Sequence, residues 1–287
     1  MVRTPPPVDP VRVRGAREGR RAKRTYVHAL PALFALAAAA CPGGDGAPAT
    51  PTEPAPDPPG PELGDSAVVL WTAGMETGDL SEWAAPGGRD HQGGEFNSGG
   101  GDAWASQEQA RTGGWSARLE LDDGEGGTRM FRWGESERYP EAYYSAWLYF
   151  PQRYEPDVWW NIFQFKSKVG DRNDALWVVN VGNRSNGDMH LYLWDALNER
   201  SFGQDRIDIP VGEWFKITCF YRQALAPSGR ITCWQDDTLL WDRDGVSTMY
   251  PNARQHWSVN NYTDGVAPAP AVIYVDDAAV SWQDPGS

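Results

Sequence analysis

Trp159-Trp160-Asn161-Ile162-Phe163-Gln164-Phe165-Lys166-Ser167-Lys168 is the stretch on which the reading of this chain turns. Phe163 and Phe165 alternate with Gln164, Lys166 and Lys168, the period of two expected of a strand with one face in a core. The opposite face then carries an amide and cationic amines beside indoles, held rigidly and open to solvent. Such a face reads as a binding floor if neighbouring strands supply matching groups.

The same alternation recurs along the chain. Ala117, Leu119 and Leu121 alternate with Arg118 and Glu120. Leu191 and Leu193 alternate with His190, Tyr192 and Trp194, and Trp257 and Val259 with Ser258, Asn260 and Tyr262. Candidate strands lie at 67–71, 116–121, 142–150, 161–168, 175–181, 189–194, 214–222, 230–235, 257–261 and 271–281. Clusters of Gly, Pro, Asn and Asp at 86–88, 97–101, 182–187, 226–229 and 264–270 separate them. No long segment has helical periodicity, and no internal repeat is present. Many short strands with turn punctuation predict an all-β domain over 66–284, a two-sheet jelly-roll sandwich. Its polar faces are rich in Arg, Gln, His, Tyr, Trp and Asn, a mixture suited to sugar hydroxyls and pyranose faces. The 15 Trp fit that reading, although any one Trp is more often a core residue.

The beginning of the chain is not domain material. Arg12, Arg14, Arg17, Arg20, Arg21, Lys23 and Arg24 precede an apolar run from Tyr26 to Ala40, the layout of a secretory signal over 1–41. Leu36-Ala37-Ala38-Ala39-Ala40-Cys41 resembles a lipobox, with Cys41 as the lipidated residue and Ala38 where a Leu is usual. Residues 42–65 are dominated by Pro, Gly and Ala and read as an extended linker. The expectation is an exported monomer, secreted or tethered as an outer-membrane or cell-surface lipoprotein, with any membrane contact through the lipid.

Charge and cysteines narrow the partners. Residues 1–41 hold eight of the 26 basic and two of the 39 acidic residues, leaving 18 basic against 37 acidic and a net of −19. That balance excludes nucleic acid, and it admits a polyanionic ligand only where basic groups gather in one cleft. Cys219 and Cys233 flank residues 225–229, so a hairpin centred on Ala226 sets them opposite each other. A cross-strand disulfide suits an oxidising compartment, and two buried thiols are the other reading.

Several segments together resemble one family. Glu137-Arg138-Tyr139, then Tyr143-Tyr144-Ser145-Ala146-Trp147-Leu148-Tyr149-Phe150-Pro151, and Trp160-Asn161-Ile162-Phe163-Gln164-Phe165-Lys166 resemble strands of the heparin-lyase-I-like polysaccharide lyases. Gly212-Glu213-Trp214-Phe215 and Gly229-Arg230-Ile231-Thr232-Cys233-Trp234-Gln235-Asp236 look like that family's late hairpin. The resemblance spans roughly 70–282 and extends to alginate and glucuronan lyases and to concanavalin-A-like lectins and glucanases. It implies β-elimination on a uronic-acid-containing polysaccharide, which needs a neutraliser for the carboxylate, a base for the C5 proton and an acid for the leaving oxygen. Arg118-Leu119-Glu120 resembles the Arg-x-Glu motif of the alginate lyases. Gln164-Phe165-Lys166 resembles their Gln-x-His, with Lys for His, and Tyr262 resembles their late Tyr. The resemblance implies that Arg118 and Gln164 hold the carboxylate and that Tyr262 is the acid and a candidate base. Lys166 and His190 are alternative bases. Glu120, Tyr192, Trp194, Asn260 and Trp147 are candidate substrate-binding residues. His91 and His256, at loop or strand edges, receive no role.

Two further readings accompany this one. Glu76, after the first strand, and Asp277, on the last, with Asp276 as alternate, are placed to clasp a structural Ca²⁺ as in other jelly-roll carbohydrate modules. No other cofactor is expected. The alternative function is a non-catalytic carbohydrate-binding module on the cell surface. A retaining glucanase would need a carboxylate pair on one strand, and no Glu-x-Asp-x-x-Glu is present.

Overall fold

Fifteen strands make up most of the described residues, 69–84 and 93–284, of the computed structural model. The first five are β1 (Val69–Ala73), β2 (Gly93–Ser106), β3 (Ser116–Arg132), β4 (Glu141–Tyr149) and β5 (Glu155–Pro156). Then come β6 (Trp160–Val169), β7 (Arg172–Asn183), β8 (Met189–Asp195), β9 (Arg200–Phe202) and β10 (Trp214–Arg222). The last are β11 (Gly229–Gln235), β12 (Thr238–Val246), β13 (Arg254–Thr263), β14 (Val266–Ala267) and β15 (Ala271–Ser281). Cys41, the leader, the linker and His91 lie outside the described residues. Among those described, no helix is long and apolar enough to cross a membrane.

All pairings are antiparallel, and one hydrogen-bonded path runs β12-β11-β10-β4-β15-β3-β13-β6-β7-β8-β9, with β1 on β15 and β2 on β3. The path doubles over into two layers because β2 and β3 belong to both. Residues 117–121 of β3 pair with β15, and residues 126–132 pair with β13. Where the second half begins, Gly126 adopts φ 91°, and a Cβ there would lie 2.4 Å from the Ser98 carbonyl oxygen. The turn expected at 97–101 is therefore corrected. These residues continue β2 through the bend, where glycines let two strands cross without Cβ atoms between them. The predicted jelly-roll sandwich is present, with its two sheets joined through β2 and β3.

Aromatic side chains fill the space between the layers. Trp257 of β13 meets Tyr144 of β4 at 5.4 Å, Phe163 of β6 at 5.5 Å and Trp83 at 5.6 Å between ring centroids. Phe165 of β6 stacks on Tyr221 of β10 at 3.9 Å. Each such ring buries a large apolar area, and the polar tips need partners. The Tyr221 hydroxyl donates to the Thr248 carbonyl at 2.6 Å, and the Tyr144 hydroxyl donates to Ser136 at 3.2 Å. Burial pushes the Tyr144 phenol up to about 12, so it stays neutral.

Cys219 and Cys233 are direct cross-strand partners on β10 and β11 and form a disulfide in the core, with Cα atoms 4.1 Å apart. The link closes a short loop, 14 residues in separation. Replacing both cysteines by alanine is expected to lower the unfolding free energy by about 3 kcal/mol, the loop-closure contribution for that length. A guanidinium denaturation curve with an unchanged midpoint would refute this.

Candidate functional site

The groove is built from rows of cross-strand neighbours, which share one face of an antiparallel sheet. One row runs from Gly127 on β3 through Tyr262 on β13, Asn161 on β6 and Asn180 on β7 to Tyr192 on β8. The next runs from Phe131 through Ser258, Gln164 and Val178 to Trp194, and the third pairs His256 with Lys166 and Ala175. The intervening residues, among them Phe163, Phe165, Trp257, Leu191 and Leu193, face the core. The result is a groove of about 610 Å³ whose lining includes Arg129, Trp159, Asn161, Gln164, Lys166, Asn180, Tyr192, Trp194 and Tyr262.

Beneath it four polar side chains satisfy one another in a closed ring. Asn161 donates to Gln164 at 2.7 Å, Gln164 to Ser258 at 3.0 Å, Ser258 to Asn260 at 2.8 Å, and Asn260 back to Asn161 at 2.8 Å. A register shift in β6 between Asn161 and Phe163 makes this possible, because it brings both Asn161 and Gln164 to the groove side. All four are buried, and each amide keeps a second N–H.

Above this floor stand a phenol and two cations. The Arg129 guanidinium lies 4.9 Å from the Tyr262 ring centroid and 5.2 Å from that of Phe96, and Trp159 meets Tyr262 edge-on at 5.0 Å. Neither Arg129 nor Lys166 forms an ion pair with a described residue, and the buried Nε of Arg129 has no hydrogen-bond partner. Burial, then the neighbouring Arg129 charge, pushes the Lys166 amine down to about 8. Burial also lowers Arg129, which remains cationic because its ordinary value is so high. No Asp or Glu among the described residues lines the groove.

The structure thus brings together Gln164, Lys166, Tyr192, Trp194 and Tyr262, with Asn260 in the floor beneath them. It does not bring the other expected residues there. Arg118 and Glu120 sit on the first half of β3, in the other layer, where Arg118 pairs with Glu120 and Glu108 and donates to Tyr274. The expectation for Arg118 is corrected by the bend in β3: eleven residues further along, Arg129 is the arginine that reaches the groove. Trp147 lies on β4 in that other layer, capped by the Arg111 guanidinium at 3.6 Å. His190 shares the face of Tyr192 but lies beyond the groove, within the fields of Arg184 and Asp208, and burial lowers it. Arg129 and His256, with Trp159, Asn161 and Asn180, are residues to which the sequence reading gave no site role. The alternation Arg254, His256, Ser258, Asn260, Tyr262 was the signal that places His256 on the groove side.

Glu76 and Asp277 do come close, both within 4 Å of a Cβ built at Gly74. Their oxygens face hydrogen-bond donors. Glu76 accepts from the Gly114 and Trp115 amides at 3.1 Å, and Asp277 accepts from Arg111 at 2.8 Å and the Thr112 hydroxyl at 2.9 Å. Asp276 accepts from the Arg111 amide at 2.8 Å, and burial pushes it up to about 6. This arrangement clamps a loop, and its countercharge is Arg111. Among the described residues no group of three His, Cys, Asp or Glu is placed to hold a metal ion.

The backbone is similar to that of an endo-β-1,4-glucuronan lyase from the fungus Trichoderma reesei, with TM-score 0.53 and 13% identity over 75% of this chain and 96% of that one. It is also similar to a PL-14 alginate lyase from Aplysia kurodai, with TM-score 0.52 and 11% identity over 75% and 99% of the two chains. A further alginate lyase matches with TM-score 0.51 and 13% identity over 66% and 85%. The chain thus has the jelly-roll fold that these lyases have. No protein-family model and no curated protein sequence matches the chain.

The position of Tyr262 depends on its neighbour. A Cβ at Gly127 would lie 1.9 Å from Cδ2 of the Tyr262 ring, so only glycine lets the ring lie across β3. Gly127→Ala is expected to cost roughly 1–3 kcal/mol of stability, the range for overpacking. Adding Tyr262→Ala should recover most of it in a urea-denaturation double-mutant cycle. Additive effects would show that the two positions do not interact.

Proposed function

We propose that this protein is an exported polysaccharide lyase that cleaves a uronic-acid-containing chain by β-elimination, of the heparin-lyase-I-like type. One observation carries the reading. In a chain of 39 acidic and 26 basic residues, the groove gathers cations that have no ion-pair partner among the described residues, and no described carboxylate lines it. Like charges crowded in a half-buried place repel one another, and an anionic substrate relieves that repulsion. The neighbouring lyase folds and the polar floor agree with a sugar acid as that anion. A buried disulfide agrees with export, and the Cys41 motif with a lipid tether.

Each role falls to a residue of the groove. Arg129 pairs with the C6 carboxylate, assisted by a spare N–H of Gln164, and this draws charge from C5 and acidifies its proton. Neutral Lys166 takes that proton. The C5–H electron pair becomes the C4–C5 double bond as the C4–O bond breaks, and the departing oxygen takes the phenolic proton of Tyr262. The Lys166 ammonium and solvent restore the phenol. Trp159, Tyr192 and Trp194 offer ring faces to the sugars, and Asn260 fixes Asn161 and, through Ser258, Gln164.

The test is absorbance at ~232 nm, where the unsaturated uronate product of such proton abstraction absorbs, with alginate, glucuronan, heparin and pectate as substrates. Tyr262→Phe is expected to abolish the signal and retain binding; full activity in that variant would remove Tyr262 from the mechanism. Binding of these polymers by the unaltered protein without any absorbance change would instead favour a non-catalytic binding module.

Lys166 sets the sign of the pH dependence. A base must be unprotonated, and its pKa is lowered to about 8, so activity should rise as pH climbs through that value and level off above it. Lys166→Ala should remove this limb and lower kcat by roughly 10²–10⁴, the usual worth of a general base. An unchanged pH profile in Lys166→Ala would assign the base elsewhere.

A further inference from the structure

The groove does not stop at Lys166. Arg129 and Lys166 also line a second lobe of about 260 Å³, completed by Phe96, Phe131, Trp133, Lys168, Asn173 and His256. Among the described residues that line it, three are cations and none is a carboxylate. The Lys168 ammonium lies 5.2 Å from the Trp133 ring centroid, and Phe96 is 51% exposed at the rim. His256 is wedged between Phe131 and Trp133, at 5.0 and 5.1 Å, and is only 4% exposed. Neither of its ring nitrogens has a hydrogen-bond partner among the described residues.

That last fact asks for a physical reason, because buried polar atoms are almost always paired. Packing alone does not need an imidazole there. The two flanking rings would accept a phenyl group at least as well, without two unmade hydrogen bonds. A neutral imidazole offers one N–H donor and one acceptor. Burial, with the charges of Lys166 and Arg129, holds His256 well below its ordinary value and so in that neutral form.

We propose that this lobe is a second sugar subsite, in which Lys168 and the His256 imidazole hold the anionic substituent of the unit next to the one in the main groove, while Phe96 and Trp133 pack on its ring. The substituent is a carboxylate or a sulfate ester. The proposal rests on reading the main groove as a site for acidic sugars. It makes the protein a binder of an acidic chain over several units, with two anion positions joined by the shared cations Arg129 and Lys166.

Binding, not turnover, tests it. Titration calorimetry would compare a uronate disaccharide, a uronate hexasaccharide, a sulfated hexasaccharide without carboxylates and a neutral hexasaccharide, using the Tyr262→Phe chain so that substrate survives. Lys168→Ala and His256→Phe, added singly, are expected to weaken the uronate hexasaccharide at least tenfold and to change the disaccharide less than twofold. His256→Phe should at the same time leave the melting temperature unchanged or raise it, which a merely structural histidine would not do. Loss confined to the uronate chain identifies carboxylate as the anion; equal loss with the sulfated chain identifies any anionic substituent; both support the subsite. Equal weakening of disaccharide and hexasaccharide, no weakening, or an equal loss with the neutral chain would overturn it. If the parent chain binds none of the acidic oligosaccharides, the reading of the main groove fails and this one with it.

Discussion

Four buried side chains that can be satisfied only by one another hold the groove in place. Asn161 and Gln164 on β6, and Ser258 and Asn260 on β13, are each 5% exposed or less. An unpaired polar atom at that depth costs roughly 1–3 kcal/mol, so the two strands are held to the one register in which the ring closes. The register shift in β6 is the condition for closure, because strict alternation would send either Asn161 or Gln164 into the core. Everything above the floor inherits this geometry: the row that carries Tyr262, the row that carries Gln164, and the pairing of Lys166 with His256.

On that floor, burial acts differently on two cations. Arg129 loses solvation but starts from a value so high that it stays charged. Lys166 starts lower, feels both burial and Arg129, and arrives near 8. One desolvated patch therefore holds a permanent positive charge beside an amine able to exchange its proton near neutrality. Asp174, the carboxylate whose field reaches Lys166, does not neutralise the patch: it accepts from Arg172 at 3.0 Å and from Tyr250 at 2.9 Å.

The fold and part of the site were legible because they rest on a period of two. Phe163 and Phe165 against Gln164 and Lys166, or Leu191 and Leu193 against Tyr192 and Trp194, need only local sterics to be read. Cys219 and Cys233 were legible because hairpin symmetry is arithmetic. Arg118 was misplaced for a reason alternation cannot reveal. It alternates correctly with Leu119, but which layer a strand joins is decided by the bend at Gly126 and by pairing with β15 or β13, both non-local. Trp147 failed the same way, and His190 showed the right face but not how far the groove extends. The ring of three amides and one hydroxyl was invisible because the register shift that builds it breaks the pattern on which the reading relied.

The same charge arrangement separates two chemistries that carbohydrate-cleaving sandwiches can host. Hydrolysis of a glycosidic bond by the usual route needs two protein carboxylates, about 5–5.5 Å apart for retention or 6.5–9.5 Å for inversion. No carboxylate among the described residues lines either lobe of this groove. Under β-elimination the carboxylate belongs to the substrate, and the protein needs the complementary set: a fixed cation, a base and an acid. In the proposed reading Arg129, Lys166 and Tyr262 form that set, and neither cation has an ion-pair partner among the described residues. Under the proposed lyase reading the substrate supplies the anion that the described residues leave out, which ties recognition of an acidic sugar to the electrostatic step of the proposed cleavage.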